Sequence, residues 1–152
     1  MWQQTLPNPQ ATEALGEHLA NALQPGAVIH LEGELGTGKT TLARSLLRSL
    51  GFQGIVRSPT YTLLEPYEIG DWRLVHLDLY RINDPEELEN LGLRDQLDAH
   101  CVVLVEWPDR GVGHLPGADL RVSLAHVDSG RRVCITPATP RGEAIQAKIS
   151  DN

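Results

Sequence analysis

Ala27-Val28-Ile29-His30-Leu31-Glu32-Gly33-Glu34-Leu35-Gly36-Thr37-Gly38-Lys39-Thr40-Thr41 joins two different periodicities through a glycine-rich turn. Its first five residues form a short apolar run bounded by turn residues, the pattern of a strand buried on both faces. From Lys39 onward, Leu42, Ala43, Leu46, Leu47 and Leu50 recur on one side of a helix, and Gly51 is a good terminator for it. Strand, glycine-rich turn and helix make the opening unit of an α/β domain. The spacing of Gly33, four residues, then Gly38-Lys39-Thr40 fits the phosphate-loop pattern. Glycines let the backbone curl with its N–H groups pointing inward, and those donors together with the helix N-terminus favour a polyanion. In that geometry Lys39 reaches the β- and γ-phosphates of a nucleotide, and the Thr40 hydroxyl completes the shell of a magnesium ion. Gly33, Gly36, Thr37, Gly38, Lys39, Thr40 and Thr41 are the expected nucleotide-binding residues, with the Thr41 hydroxyl near the α-phosphate.

On the N-terminal side, residues 11–23 carry Ala14, Leu15, His18, Leu19, Ala22 and Leu23 at helical spacing, with Thr12 as cap and Pro25-Gly26 as stop. On the C-terminal side, Pro59 biases Arg57-Ser58-Pro59-Thr60 towards a loop. Residues 62–69 and 73–80 read as strands around Gly70-Asp71, a candidate hairpin. Asp84-Pro85-Glu86-Glu87 is a strong helix start, with cap, proline and first-turn acids. Residues 101–107 form a second buried strand, which ends at Pro108. Two alternating segments, 119–127 and 131–135, flank Asp128-Ser129-Gly130 as another hairpin. Residues 1–138 are expected as one domain, followed by a polar tail, 139–152, with at most a loose helix.

A phosphate loop needs an acidic partner for its metal, normally at the end of a neighbouring parallel strand. Two runs end in an acid. Val102-Val103-Leu104-Val105-Glu106 is continuous and suits a central strand, whereas Leu74-Val75-His76-Leu77-Asp78 is broken by a histidine. Glu106 is therefore the expected magnesium ligand beside Thr40, acting through water because magnesium keeps several waters. Asp78, which shares a strand face with His76, is expected to position or activate the attacking water. The competing role for Asp78 is structural, as a strand cap or a partner for Arg81. Lys39, Asp78 and Glu106 form the candidate catalytic set. Ser58 and Thr60 lie on a loop that either closes over the γ-phosphate or only makes a turn. Trp107 either shields the site, meets a partner, or belongs to the core.

Composition narrows the function classes. Hydrophobic and charged contents of 41% and 22% are those of a globular chain. No apolar run approaches the roughly 18 residues of a membrane span, and the N-terminus lacks a signal pattern, so a cytoplasmic protein without membrane contact is expected. Cys101 and Cys134 lie in apolar segments and read as reduced, buried thiols. The net charge of −7 argues against an independent grip on a nucleic-acid backbone. The six histidines show no metal-ligand spacing, and no nucleophile elbow is present.

Four blocks in order resemble the TsaE (YjeE) family: Leu31 to Thr41, Ser58-Pro59-Thr60-Tyr61-Thr62, His76-Leu77-Asp78-Leu79-Tyr80-Arg81, and Glu106-Trp107-Pro108. The phosphate loop is widely shared; the other three together are specific. The resemblance implies a P-loop nucleotide-binding α/β fold, with a central parallel sheet, antiparallel edge strands and flanking helices. It implies ATP and ADP as ligands, with Mg2+ held by Thr40 and Glu106, a phosphate cradle from Gly36 to Thr41, a nucleotide contact at Thr12, and the strand-end aspartate at Asp78. It also implies partners like TsaB and TsaD, the transferase that modifies the adenosine beside the anticodon of tRNA. In that machinery ATP hydrolysis resets the complex, and tRNA meets this chain only indirectly. Glu34 and Thr37 stand where other members often carry Asp and Ala, in a loop whose backbone does the binding. Two other classes share the loop. A small-molecule kinase also needs an acceptor pocket and an arginine-bearing lid, for which the chain has no obvious insertion. A nucleotide-gated binding module has negligible hydrolysis of its own.

Overall fold

Most elements of the computed structural model, which describes residues 1–151, follow from local signals. The chain runs β1 (Trp2–Leu6), α1 (Pro9–Ala22), β2 (Val28–Glu32), α2 (Lys39–Leu50), β3 (Leu64–Ile69), β4 (Trp72–Asp78), α3 (Glu87–Asn90), α4 (Leu93–Gln96), β5 (Cys101–Glu106), β6 (Leu120–Val127), β7 (Gly130–Pro137) and α5 (Pro140–Ser150). Asn8 rather than Thr12 caps α1: its side chain accepts from Ala11 N at 2.9 Å, and Pro9 takes the first helical position, where a missing N–H costs nothing. Thr12 is instead buried in the first turn. Asp84 does accept from Glu86 N, at 3.0 Å, but the helix it announces lasts one turn, because Gly92 at φ +68° breaks it before α4.

The strands form one sheet in the order β1-β7-β6-β2-β5-β4-β3. β6, β2, β5 and β4 run parallel, whereas β3, β7 and β1 join antiparallel at the two sides. Both expected hairpins, β3–β4 and β6–β7, are present. β1 was not visible from its mostly polar composition; it exists because β7 supplies a ladder for Trp2 to Leu6. β2 lies between β5 and β6, so both of its edges are paired.

Helices α1, α2 and α5 cover one face, where Leu15, Leu19, Leu42, Leu46, Ile145 and Ile149 meet Ile29, Leu31, Leu104, Val122 and Leu124. On the other face, Val75, Leu77, Val103 and Val105 are covered by Leu79, Ile82, Leu88 and Leu93, from loops and the single-turn helices. The segment expected as a polar tail is thus a capped helix packed on the core, with Thr139 accepting from Gly142 N at 3.1 Å. Two isoleucines four residues apart dock it, although the rest of its composition is polar; Asn152, the last residue of that tail, lies outside the described residues. Asp119 ties this end together by accepting from Val28 N at 2.8 Å and from the Thr139 hydroxyl at 2.7 Å. Cys101 is buried and Cys134 half-buried, and both are free thiols. Among the described residues, no helix is long and apolar enough to cross a membrane.

Register sets the site. Leu31 lies opposite Glu106 across β2–β5, and Asp78 lies opposite Glu106 across β4–β5. The carboxyl ends of β2, β5 and β4 therefore come level, with Glu106 at the end of the middle strand β5 and the loop 33–38 leaving β2 beside it.

Candidate functional site

The loop curls because Gly33, Gly36 and Gly38 all take positive φ, conformations that other residues rarely adopt. Gly33 has φ +148°, and a Cβ there would stand 2.5 Å from Leu124 O and 2.8 Å from the Thr37 hydroxyl. Gly36 has φ +76° at the exposed tip, with open space around it. Thr37 is buried and donates to Glu34 O at 2.8 Å, bracing the curl from inside. From outside, Arg131 donates to Gly36 O at 3.2 Å and His126 Nε2 bonds Leu35 O at 3.2 Å, so the β6–β7 hairpin holds two loop carbonyls away from the interior. Lys39 is buried; its ammonium donates to Gly33 O and sits 4.0 Å above the Trp107 ring. Burial lowers the Lys39 pKa, while the charges of Glu106 and Asp78 oppose that shift.

Two cavities flank the loop. One, of about 320 Å³, is lined by Gly36, Gly38, Lys39, Thr40, Thr41, Thr60, Asp78, Glu106 and Trp107 among others. The second, of about 210 Å³, shares Gly36, Gly38 and Thr41 with the first and adds Thr12, Thr37, the β1–α1 junction and Arg131. Of the expected site residues, Thr12, Gly36, Thr37, Gly38, Lys39, Thr40, Thr41, Asp78 and Glu106 thus line one or both of these two cavities. Gly33 stands apart from them. It lines a third cavity with Glu32, Glu34 and Asp109, and its carbonyl and tight turn serve the loop's shape.

Asp78 is 6% exposed and accepts from Tyr80 N at 3.0 Å and from the Thr60 hydroxyl at 3.4 Å, which in turn bonds Ser58 at 2.7 Å. The Ser58–Thr60 loop therefore forms one wall beside it. Arg81 is not its partner: that guanidinium stacks on Tyr61 at 4.6 Å, and no ion pair links it to Asp78 among the described residues. Burial pushes the Asp78 pKa up, against the Tyr80 N–H, and the nearby Glu106 charge pushes it further. Trp107 follows Glu106 with φ +57°, a strained conformation for a tryptophan, which turns its ring over Lys39. The ring also lies 5.1 Å from Tyr80 and packs against the second core cluster, so it is both wall and core.

His76, set aside in the sequence as a break in an apolar run, lies in this site: its Nε2 is 2.7 Å from Glu106 Oε2, and both side chains are buried. Its placement two residues before Asp78 on the same face was the available signal; the partner was hidden by the β4–β5 register. The oxygen donors of Thr40 and Glu106 suit magnesium, which keeps several waters and shares phosphate oxygens. Among the described residues no group of three or more His, Cys, Asp and Glu side chains is arranged to hold a metal.

A glycine-rich loop between a parallel strand and its helix, with acids at adjacent strand ends, defines a P-loop α/β fold. The crystal structure of Bacillus subtilis YdiB has the same architecture, with a TM-score of 0.81 at 32% identity, covering 99% of this chain and 95% of that one. The family model for threonylcarbamoyl adenosine biosynthesis protein TsaE matches residues 6–134, and the chain belongs to that family. It is 44% identical to the tRNA threonylcarbamoyladenosine biosynthesis protein TsaE of Haemophilus influenzae over 82% of this chain and 78% of that protein. The TsaE of Bacillus subtilis is 36% identical over 94% of this chain and 90% of that protein. The family's role is in tRNA threonylcarbamoyladenosine biosynthesis.

Proposed function

We propose that the chain binds ATP with Mg2+ and hydrolyses it, slowly alone and faster beside TsaB- and TsaD-like proteins, so that each ATPase cycle resets their tRNA-modifying complex. The observation that carries this is the convergence of Lys39, Thr40, Asp78 and Glu106 on one cavity beside the glycine-rich loop. The inward N–H groups from Gly36 to Thr41 take the phosphate oxygens, and Lys39 turns from Gly33 O to the β- and γ-phosphates. Thr12 and the smaller cavity take the nucleoside end of the nucleotide. Thr40 and Glu106 hold the magnesium ion, which when bound neutralises charge gathering on the phosphate oxygens. Asp78 holds the water in line with the γ-phosphorus and accepts its proton; the bond to the β–γ bridging oxygen breaks as the water oxygen bonds, yielding ADP and phosphate, and the proton then passes to the departing phosphate or to solvent.

Partner dependence follows from what the cavity lacks. Among the described residues no arginine lines the cavity that holds Lys39, Asp78 and Glu106, and Arg131 in the neighbouring one is committed to Gly36 O. A transition-state arginine then comes from outside, and such a residue is worth about 10³–10⁵ in rate. Turnover measured alone and with TsaB- and TsaD-like proteins plus tRNA tests this. Partners should raise it, and Lys39→Ala or Glu106→Ala should lower it at least ~100-fold, comparable to losing a major electrostatic group. Undiminished turnover by either variant in the full mixture would remove the site.

A further inference from the structure

We propose that His76 is a positioning residue that fixes the Glu106 carboxylate for magnesium; this rests on the magnesium–ATP function above. β4 and β5 are parallel, and His76 reaches one step along the ladder to place Nε2 2.7 Å from Glu106 Oε2. The two side chains are 1% and 3% exposed. A carboxylate buried to that degree requires a hydrogen-bond donor, and among the described residues His76 is the one side chain that supplies it.

The ring itself fixes who donates. His76 Nδ1 is buried without a hydrogen-bond partner. A proton there would be an unpaired buried donor, so the proton sits on Nε2 and points at Glu106. The terminal torsion of a glutamate is broad and soft, so a free Glu106 would sample many carboxylate orientations. Binding Oε2 to a rigid ring removes that freedom and leaves Oε1 for the cavity that Glu106 shares with Thr40. Hydrogen bonds of this kind orient metal-ligating carboxylates, and losing one typically weakens metal binding about 10–100-fold.

The test uses the full chain with ADP and Mn2+ as a spectroscopic probe in place of magnesium, titrated by electron paramagnetic resonance. ADP affinity is measured separately in EDTA. His76→Leu should weaken Mn2+ binding about 10-fold or more, with ADP affinity in EDTA changed less than ~2-fold. His76→Gln, which keeps an N–H near the Nε2 position, should recover most of the loss. In a Glu106→Gln background, which itself should lose most Mn2+ affinity, adding His76→Leu should change nothing further. Wild-type Mn2+ affinity in His76→Leu, or an equal loss with and without Glu106, would overturn the positioning role. Should His76→Leu fail to fold, His76→Gln against His76→Asn carries the test, because the shorter amide cannot reach Glu106; equal Mn2+ affinity in those two overturns it. Normal Mn2+ binding by Glu106→Gln would instead overturn the magnesium site itself.

Discussion

At the scale of single residues, Asp78 carries two opposed demands. Burial raises its pKa, the Tyr80 N–H resists, and the Glu106 charge adds to the rise. A carboxylate whose folded pKa lies above its unfolded value favours the fold at low pH, where it is protonated. That contribution is lost as pH rises through the folded pKa. At neutral pH the ionised Asp78 therefore costs stability, as a group held for chemistry often does. Asp78→Asn keeps an acceptor for Tyr80 N, offers an amide to the Thr60 hydroxyl, and removes the charge facing Glu106. Its melting temperature should rise about 2–4 °C at pH 7, the effect of ~1 kcal/mol in a chain of this size. The gain should vanish below about pH 4, where an ordinary aspartate is already protonated. Turnover with the partners should fall about 100-fold, the usual scale for losing a general base, with ATP affinity little changed. Melting curves from about pH 3 to pH 8 and turnover assays check both halves. A lower melting temperature at pH 7 would mean that the charge is paired and the residue structural.

At the scale of elements, Gly33 and Gly36 do unlike work in one loop. Both have positive φ, but a side chain at Gly33 meets Leu124 O on β6 at 2.5 Å, whereas one at Gly36 meets nothing within 4 Å. Gly33→Ala should therefore destabilise the fold by about 2 kcal/mol or more, combining backbone strain with a clash against a sheet carbonyl, and should loosen nucleotide binding. Gly36→Ala should cost about 1 kcal/mol, from the strained backbone alone. Denaturant unfolding and ADP titration of the two variants separate these effects; equal losses would mean that the β6 contact is immaterial. The same contrast explains how legible the chain was. The β2–loop–α2 unit could be read because every signal in it is local, and Glu106 because a continuous apolar run ends there. The α1 start was misplaced because Asn8 and Thr12 are both capping types, and Pro9 beside Asn8 was the deciding mark. α5 was underrated because two isoleucines dock it within a polar composition. The His76–Glu106 bond and β1 depend on strand register and on a partner strand, which no window of sequence contains.

At the scale of the molecule, the sheet order brings the loop and its acids to one rim, and the charge of the whole chain restricts what can approach that rim. Thirteen Lys and Arg against twenty Asp and Glu give the net charge of −7. Glu32, Glu34 and Asp109 line the cavity on the loop's far side, so the acidity extends to the edge of the site. Of the basic groups near the loop, Arg131 is committed to backbone carbonyls and Arg110 to Tyr80 O at 2.7 Å, beside the Tyr80 and Trp107 rings. A phosphate backbone laid across this surface gains few counterion-releasing contacts and meets like charge. Under the proposed function a nucleotide would escape that penalty, because its phosphates would enter the curl of N–H groups beside Lys39 and a divalent cation. The isolated chain should therefore bind tRNA no more tightly than about 10⁻⁴ M near 0.15 M salt, the weak end of non-specific binding, and without a steep salt dependence. With TsaB- and TsaD-like proteins present, the chain should be retained on tRNA through them. Filter-binding titrations at two salt concentrations, with and without the partners, decide the matter. Tight, salt-sensitive binding by the chain alone would mean that it grips tRNA directly, through a surface whose attraction outweighs its net charge.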